Sequence, residues 1–156
     1  MNSAAPAIVP AFHDEPDPEN PGWRLWRLSD DRRYNGQIIG KLLIRQDGPT
    51  QARVRMFPEM RHSNIADAVH GGTTLGFIDV ALFGAARVFG LVDAGVAVTL
   101  DLSVQFIGAG RIDEPLDAVV DLLRETRRLI FLRGLVVQGD EMVASFSGTI
   151  RKASSR

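Results

Sequence analysis

His70, Asp79 and the glycines between them are the residues whose types and spacing could carry chemistry. They lie in one stretch, Ser63 to Phe89, which reads SNIADAVHGGTTLGFIDVALFGAARVF. Between Thr73 and Ala86 the only ionisable side chain is Asp79. An apolar helix-former without a polar face is expected to be buried on most sides. A lone carboxylate there must be paired, hydrogen-bonded or kept for chemistry. A helix beginning near Gly72 points its first free N–H groups out of the His70-Gly71-Gly72 turn, which makes an anion or oxyanion cradle. Asp79 follows Gly72 by seven residues, so it returns to nearly the same face, together with Gly76 and Phe83. The Gly71 N–H as oxyanion donor and Asp79 as general base or nucleophile are the two parts that hydrolysis of an activated carbonyl needs. The competing reading makes Asp79 a buried hydrogen-bond acceptor and the glycines a means of close packing.

The elements that must position this stretch can be taken in chain order. Residues 1–22 are rich in proline and acid (HDEPDPENPG at their end) and predict an extended, mobile arm with order beginning near Trp23. His13 falls in that arm as a solvated residue. Trp23 and Trp26 predict a short helical or packed lead-in that anchors the arm. Residues 37–46 read as a first strand with its turn at Asp47-Gly48-Pro49, and 51–57 as a half-exposed second strand ended by Pro58. His62 sits in the polar loop before the helix. Gly90 and Gly95 bracket the loop after it.

Residues 97–107 alternate most clearly. Val98, Leu100, Leu102, Val104 and Phe106 form one face, and Thr99, Asp101, Ser103 and Gln105 the other. Strands are expected over 116–125, 129–138 and 142–151, the last two joined by a tight turn at Gly139-Asp140-Glu141. Two strands, one apolar helix and four strands predict an α+β fold, an antiparallel sheet wrapped around one central helix. This body spans 23–152 as a single domain, followed by a tail, 153–156. Arg111, Arg124, Arg127, Arg128, Arg133, Arg151 and Lys152 gather near strand ends. There they read as solvated edge residues, with contact to phosphates as the lesser alternative.

Composition excludes several classes of function. A chain of 156 residues with 45% hydrophobic and 24% charged content is sized and balanced for one globular domain. A net charge of −1 lacks the basic surface of a nucleic-acid binder. With no cysteine there is no disulfide, thiolate nucleophile or Cys-ligated metal, which fits a cytoplasmic setting. No apolar run reaches membrane-spanning length, and the N-terminus lacks the pattern of a secretory signal. No G-x-S-x-G occurs, and the histidines at 13, 62 and 70 offer no Ser-His-Asp set.

Asn64, the His70-Gly71-Gly72 turn and Asp79 together resemble the hotdog-fold acyl-CoA thioesterases, in the phenylacetate-pathway and human thioesterase-superfamily branch. Asn six residues before the His, Gly-Gly after it and Asp nine residues after it all match, and the likeness runs over roughly residues 37–152. The resemblance implies hydrolysis of an aryl- or medium-chain acyl-CoA, with coenzyme A as part of the substrate and no cofactor or metal. It implies Asp79 as the catalytic carboxylate, Gly71 as oxyanion donor, and Asn64 and His70 beside the thioester. It also implies Thr99 within reach of Asp79, and Gly72 and Phe83 against the substrate. Finally, it implies a homodimer, or a homotetramer as a dimer of dimers, whose active site is shared between two chains. A hydratase or dehydratase on the same fold is disfavoured by Gly-Gly where such enzymes carry Pro-Gly. A non-catalytic acyl-CoA sensor would not need Asp79. Phe77, Phe83, Phe106 and Phe131 are candidates both for an acyl pocket and for the core.

Overall fold

The computed structural model describes residues 12–92 and 97–153. Its framework is an 18-residue helix, α1 (Gly71–Val88), held in an eight-stranded antiparallel sheet. The strands are β1 (Phe12–Pro16), β2 (Arg24–Leu28), β3 (Leu42–Gly48), β4 (Gln51–Met56), β5 (Val98–Phe106), β6 (Leu116–Glu125), β7 (Leu129–Gln138) and β8 (Glu141–Arg151). Their order across the sheet is β1-β2-β3-β4-β6-β7-β8-β5. This is the α+β hotdog arrangement, with the helix in the hollow of the sheet.

The ends of α1 are fixed by local chemistry. His70 caps the first turn, its Nδ1 accepting from the Gly72 N–H at 2.8 Å. At the other end, Gly90 takes φ +69 and donates to Arg87 O, while the Leu91 N–H reaches back to Ala86 O. That paired closure needs a left-handed residue, which glycine supplies without strain. Between the caps, Phe77, Ile78, Leu82, Ala85 and Ala86 are fully buried against Ile44, Val54, Leu116, Ile130 and Ile150. Each large side chain so buried contributes about 1.5–3 kcal/mol. Gly84 sets the helix down on the sheet: a Cβ there would lie 3.1 Å from both Trp26 Cζ3 and Val54 Cγ2.

Four expectations are corrected. Residues 37–41 are not strand: Asn35–Ile39 form a single π-helical turn, and β3 starts only at Leu42. The apolar run Ile38-Ile39 suggested extension, but Gly40, with φ +86, breaks it from Leu42. The turn is also pinned from outside by His62 and Arg61. The chain before Trp23 is ordered from Phe12 onward, since β1 pairs with β2 along its whole length. Phe12 stacks on Trp26 with centroids 5.4 Å apart, and Asp17 closes the turn beyond. Lys41 donates to the Asp17 carboxylate, as do Asn20 and the Glu19 N–H, and together they hold this acid down to about 2.

Trp26 lies in β2 rather than in a helix, and Trp23 is the residue just before that strand; the two rings enter different surroundings. Trp26 enters the core, while Trp23 lies between the guanidinium groups of Arg45 and Arg55, each 4.4 Å from its ring. Arg55 in turn grips the buried Asp117 through two hydrogen bonds.

The fourth correction bears on the site. β5 does not alternate without interruption, because its register against β8 shifts between Thr99 and Asp101. Thr99 stands opposite Ile150 and Leu102 opposite Gly148, both buried, whereas Asp101 stands opposite the half-buried Thr149. Leu100 is the extra residue, 55% exposed. This bulge turns Thr99 from the outer face to the helix face. Gly95, expected in the preceding loop, lies outside the described residues.

Candidate active site

The approach to α1 is a tightly bonded loop. Met60–His62 form one 3-10 turn. His62 is buried, its Nδ1 accepting from the Glu59 N–H at 2.8 Å. The proton therefore sits on Nε2, which donates to Ile38 O at 2.6 Å. His62 ties two loops together. Asn64 then turns the chain: its Oδ1 accepts from the Ala66 and Ala68 N–H groups at 2.9 and 3.2 Å. Its amide Nδ2 is the group left to reach outward.

His70 donates its backbone N–H to His62 O at 2.8 Å. With Nδ1 engaged by Gly72, its ring carries the proton on Nε2, an exposed donor beside the helix start. The cap divides the two glycines by role. The Gly72 N–H is consumed by His70, whereas the Gly71 N–H has no acceptor among the described residues. Gly71 also faces Phe106, whose ring carbons would lie 3.5 Å from a Cβ at that position.

Asp79, the one acid of α1, is partly buried, and its Oδ1 accepts from Thr99 Oγ1 at 2.6 Å. Thr99 leaves Oδ2 free for a water or a carbonyl carbon. Asp79 and Gly71 are eight residues apart on one helix, hence about 12 Å along its axis. Within a single chain the Asp79 carboxylate and the Gly71 N–H are thus too far apart to meet on one carbonyl group.

Phe77 is wholly core. Phe83 is half-buried and packs on the core one turn beyond Asp79, while Phe106 is 53% exposed and flanks Gly71. Arg111 is engaged by Glu114 and Glu141, Arg133 faces Asp121 at 3.9 Å, and Lys152 pairs with Glu125. Among the described residues no three His, Asp or Glu side chains gather as a metal site. No helix among the described residues is long and apolar enough to cross a membrane. The sequence reading missed Tyr34, whose ring lies on α1 at Gly76. Its one signal was a glycine inside a helix that otherwise favours alanine.

The helix-in-sheet fold, the capped glycine turn and the acid on the helix define a class. The family model described as the thioesterase superfamily matches residues 67–145, just over half of the chain. The chain belongs to that superfamily and is a thioester hydrolase. The Pseudomonas aeruginosa protein PA0474, provisionally named an esterase, is 29% identical over 111 residues, covering 71% of this chain and 82% of that one. The crystal structure of thioesterase superfamily member 2 from Mus musculus superposes with a TM-score of 0.63 at 18% identity, covering 74% of this chain and 84% of the mouse chain. A Streptococcus pneumoniae protein described as a hypothetical thioesterase, crystallised with coenzyme A, gives the same TM-score and identity over 74% of this chain and 88% of its own.

Proposed function

We propose that this thioester hydrolase acts on acyl-CoA, releasing free acid and coenzyme A, with Asp79 as the acting carboxylate. The observation that carries the reading is the Asp79–Thr99 hydrogen bond. It fixes the orientation of a lone acid that would otherwise cost stability without a purpose. The Gly71 N–H, unspent at the positive end of α1, suits the oxygen that gains charge as the thioester carbonyl is attacked. His70 Nε2–H and Asn64 Nδ2 donate to the same carbonyl or to the water, and Gly72 and Phe83 border the substrate. Coenzyme A in the Streptococcus pneumoniae relative supports the leaving group.

The gap of about 12 Å between Gly71 and Asp79 supports a site completed by a second copy. A two-fold dimer sets Asp79 of one chain against Gly71 and Asn64 of the other and makes two equal sites. The open edge of β5, with Leu100 and Phe106 exposed, suits such pairing.

The test is a hydrolysis screen over aryl- and medium-chain acyl-CoAs, read by release of free thiol, with the parent and Asp79→Asn. The parent is expected to turn over at least one, and the variant to lose about a hundredfold or more in kcat with its fold intact. Comparable turnover by Asp79→Asn contradicts the assignment.

A further inference from the structure

β2 and β3 part company where their register would continue. Arg24 stands opposite Ile44 and Leu25 opposite Leu43, but Leu42, although paired with Met56 of β4, is not paired with Trp26. The chain enters β3 from the π-helical segment Asn35–Ile39 through Gly40, whose φ of +86 keeps that segment out of the ladder. Single π-helical turns are rare and recur at functional sites. Here the turn and the free side of β2 enclose a cavity of about 440 Å³. That volume lies within the range of small-molecule sites. Gly71, Asp79 and Asn64 do not line it, so it is separate from the hydrolytic residues.

The wall of the cavity is apolar, made by Leu25, Trp26, Leu28 and Leu42. Three charged side chains join it. Lys41 is spent on Asp17 and Glu19. Arg27 and Asp31 are different: neither has a hydrogen-bond or ion-pair partner among the described residues, and they do not pair with each other. The side-chain amide of Asn35 is likewise unengaged. The frame that carries these groups is held in place. Gln37 donates its side-chain amide to Asp31 O at 3.2 Å, and a Cβ on Gly36 would overlap that same carbonyl, so the Asp31 loop is seated on the turn. Arg61 and buried His62 fix the turn through Gln37 O and Ile38 O, and Arg27 is set opposite His13 in the β1–β2 ladder. A frame fixed before binding has less ordering left to do when a ligand arrives.

We propose that this cavity binds a free α-amino acid with a large apolar side chain, its carboxylate on Arg27 and its ammonium on Asp31. A simple carboxylic acid would answer Arg27 but bring its charge to the side of a second carboxylate. An amine would answer Asp31 and leave a guanidinium beside its own positive charge. Only a ligand carrying both charges complements the pair, and each contact is a charge-assisted hydrogen bond. The apolar side chain of the ligand then leaves water for the leucine and tryptophan wall. The inference is independent of the role given to Asp79.

The experiment is titration calorimetry of the full chain with three matched probes. L-Phenylalanine carries both charges, 3-phenylpropanoate lacks the ammonium, and 2-phenylethylamine lacks the carboxylate. Phenylalanine is expected to bind saturably, and each of the other two at least about tenfold more weakly. Arg27→Gln and Asp31→Asn are each expected to weaken phenylalanine by about tenfold or more. Both side chains are exposed and unpaired among the described residues, so the variants should fold, as circular dichroism can check. Asp31→Asn should also bring phenylalanine and 3-phenylpropanoate close together in affinity, which a merely structural role for Asp31 would not do. The proposal is overturned if phenylalanine shows no saturable binding to the parent, or if either single-charge probe binds as tightly as phenylalanine. It is equally overturned if either substitution leaves the affinity for phenylalanine unchanged, which would place the ligand elsewhere on the chain.

Discussion

Thr99 Oγ1 donates a 2.6 Å hydrogen bond to Asp79 Oδ1, joining the one acid of α1 to the open edge strand β5. A carboxylate on a helix can rotate about χ1 and χ2. A fixed donor on one oxygen selects the rotamer and aims the other oxygen outward. Replacing Thr99 by Val keeps the volume and removes the donor. The expected result is a loss of about tenfold in kcat with KM little changed, measured by steady-state thiol release. A loss confined to KM would assign Thr99 to substrate binding instead.

Gly71 is open to a finer test than its neighbour. A methyl at Gly71 would lie 3.5 Å from the Phe106 ring, an ordinary contact, so Gly71→Ala should fold and keep its N–H. Gly71→Val adds branches that crowd Phe106 and the approach to that N–H. Its kcat is expected to fall by about a hundredfold, well below that of Gly71→Ala, at a melting temperature near the parent's. Equal rates for the two variants would remove the oxyanion role.

The amino-terminal hairpin is expected to be structural. Deleting residues 1–20 removes β1, the Phe12 ring stacked on Trp26, and the Asp17–Lys41 pair. Trp26 is 2% exposed and packs on Gly84, so uncovering it should lower the melting temperature by several degrees, the size expected for about 1–3 kcal/mol. A truncated protein that melts with the parent would show that β1 contributes nothing to the body.

Legibility from sequence divides along physical lines. β6 and β7 begin and end where periodicity and turns place them, and α1 starts within a residue of the glycine turn. Those elements are governed by local pattern and packing together. Alternation alone groups Thr99 with Asp101, Ser103 and Gln105, because it has no means of announcing a bulge and Leu100 is as apolar as the residues on either side of it in the pattern; only the family resemblance puts Thr99 within reach of Asp79. Residues 37–41 read as strand because Ile38 and Ile39 favour extension, whereas contacts from Arg61 and His62, distant in sequence, hold Gln37 and Ile38 in a π-helical turn. The same kind of contact hid Tyr34, which reaches Gly76 from 42 residues away. The division of labour between Gly71 and Gly72 was equally hidden, since it depends on which N–H the His70 ring takes.

The central claim is that one hydrolytic site is built from two chains, and mixed dimers test it most directly. Asp79→Asn removes the carboxylate. Asn64→Asp keeps the oxygen that caps Ala66 and Ala68 but loses the amide donor, so the loop should hold. The two variants, each nearly inactive alone, are unfolded together, refolded as a mixture and assayed for acyl-CoA hydrolysis. With statistical pairing about half the dimers are mixed, and one of the two sites in each is intact, so about a quarter of the parental activity is expected to return. If Asp79 and Asn64 serve the same site from the same chain, every site in the mixture stays damaged. No recovery, with mixed dimers confirmed by mass, would contradict the shared site.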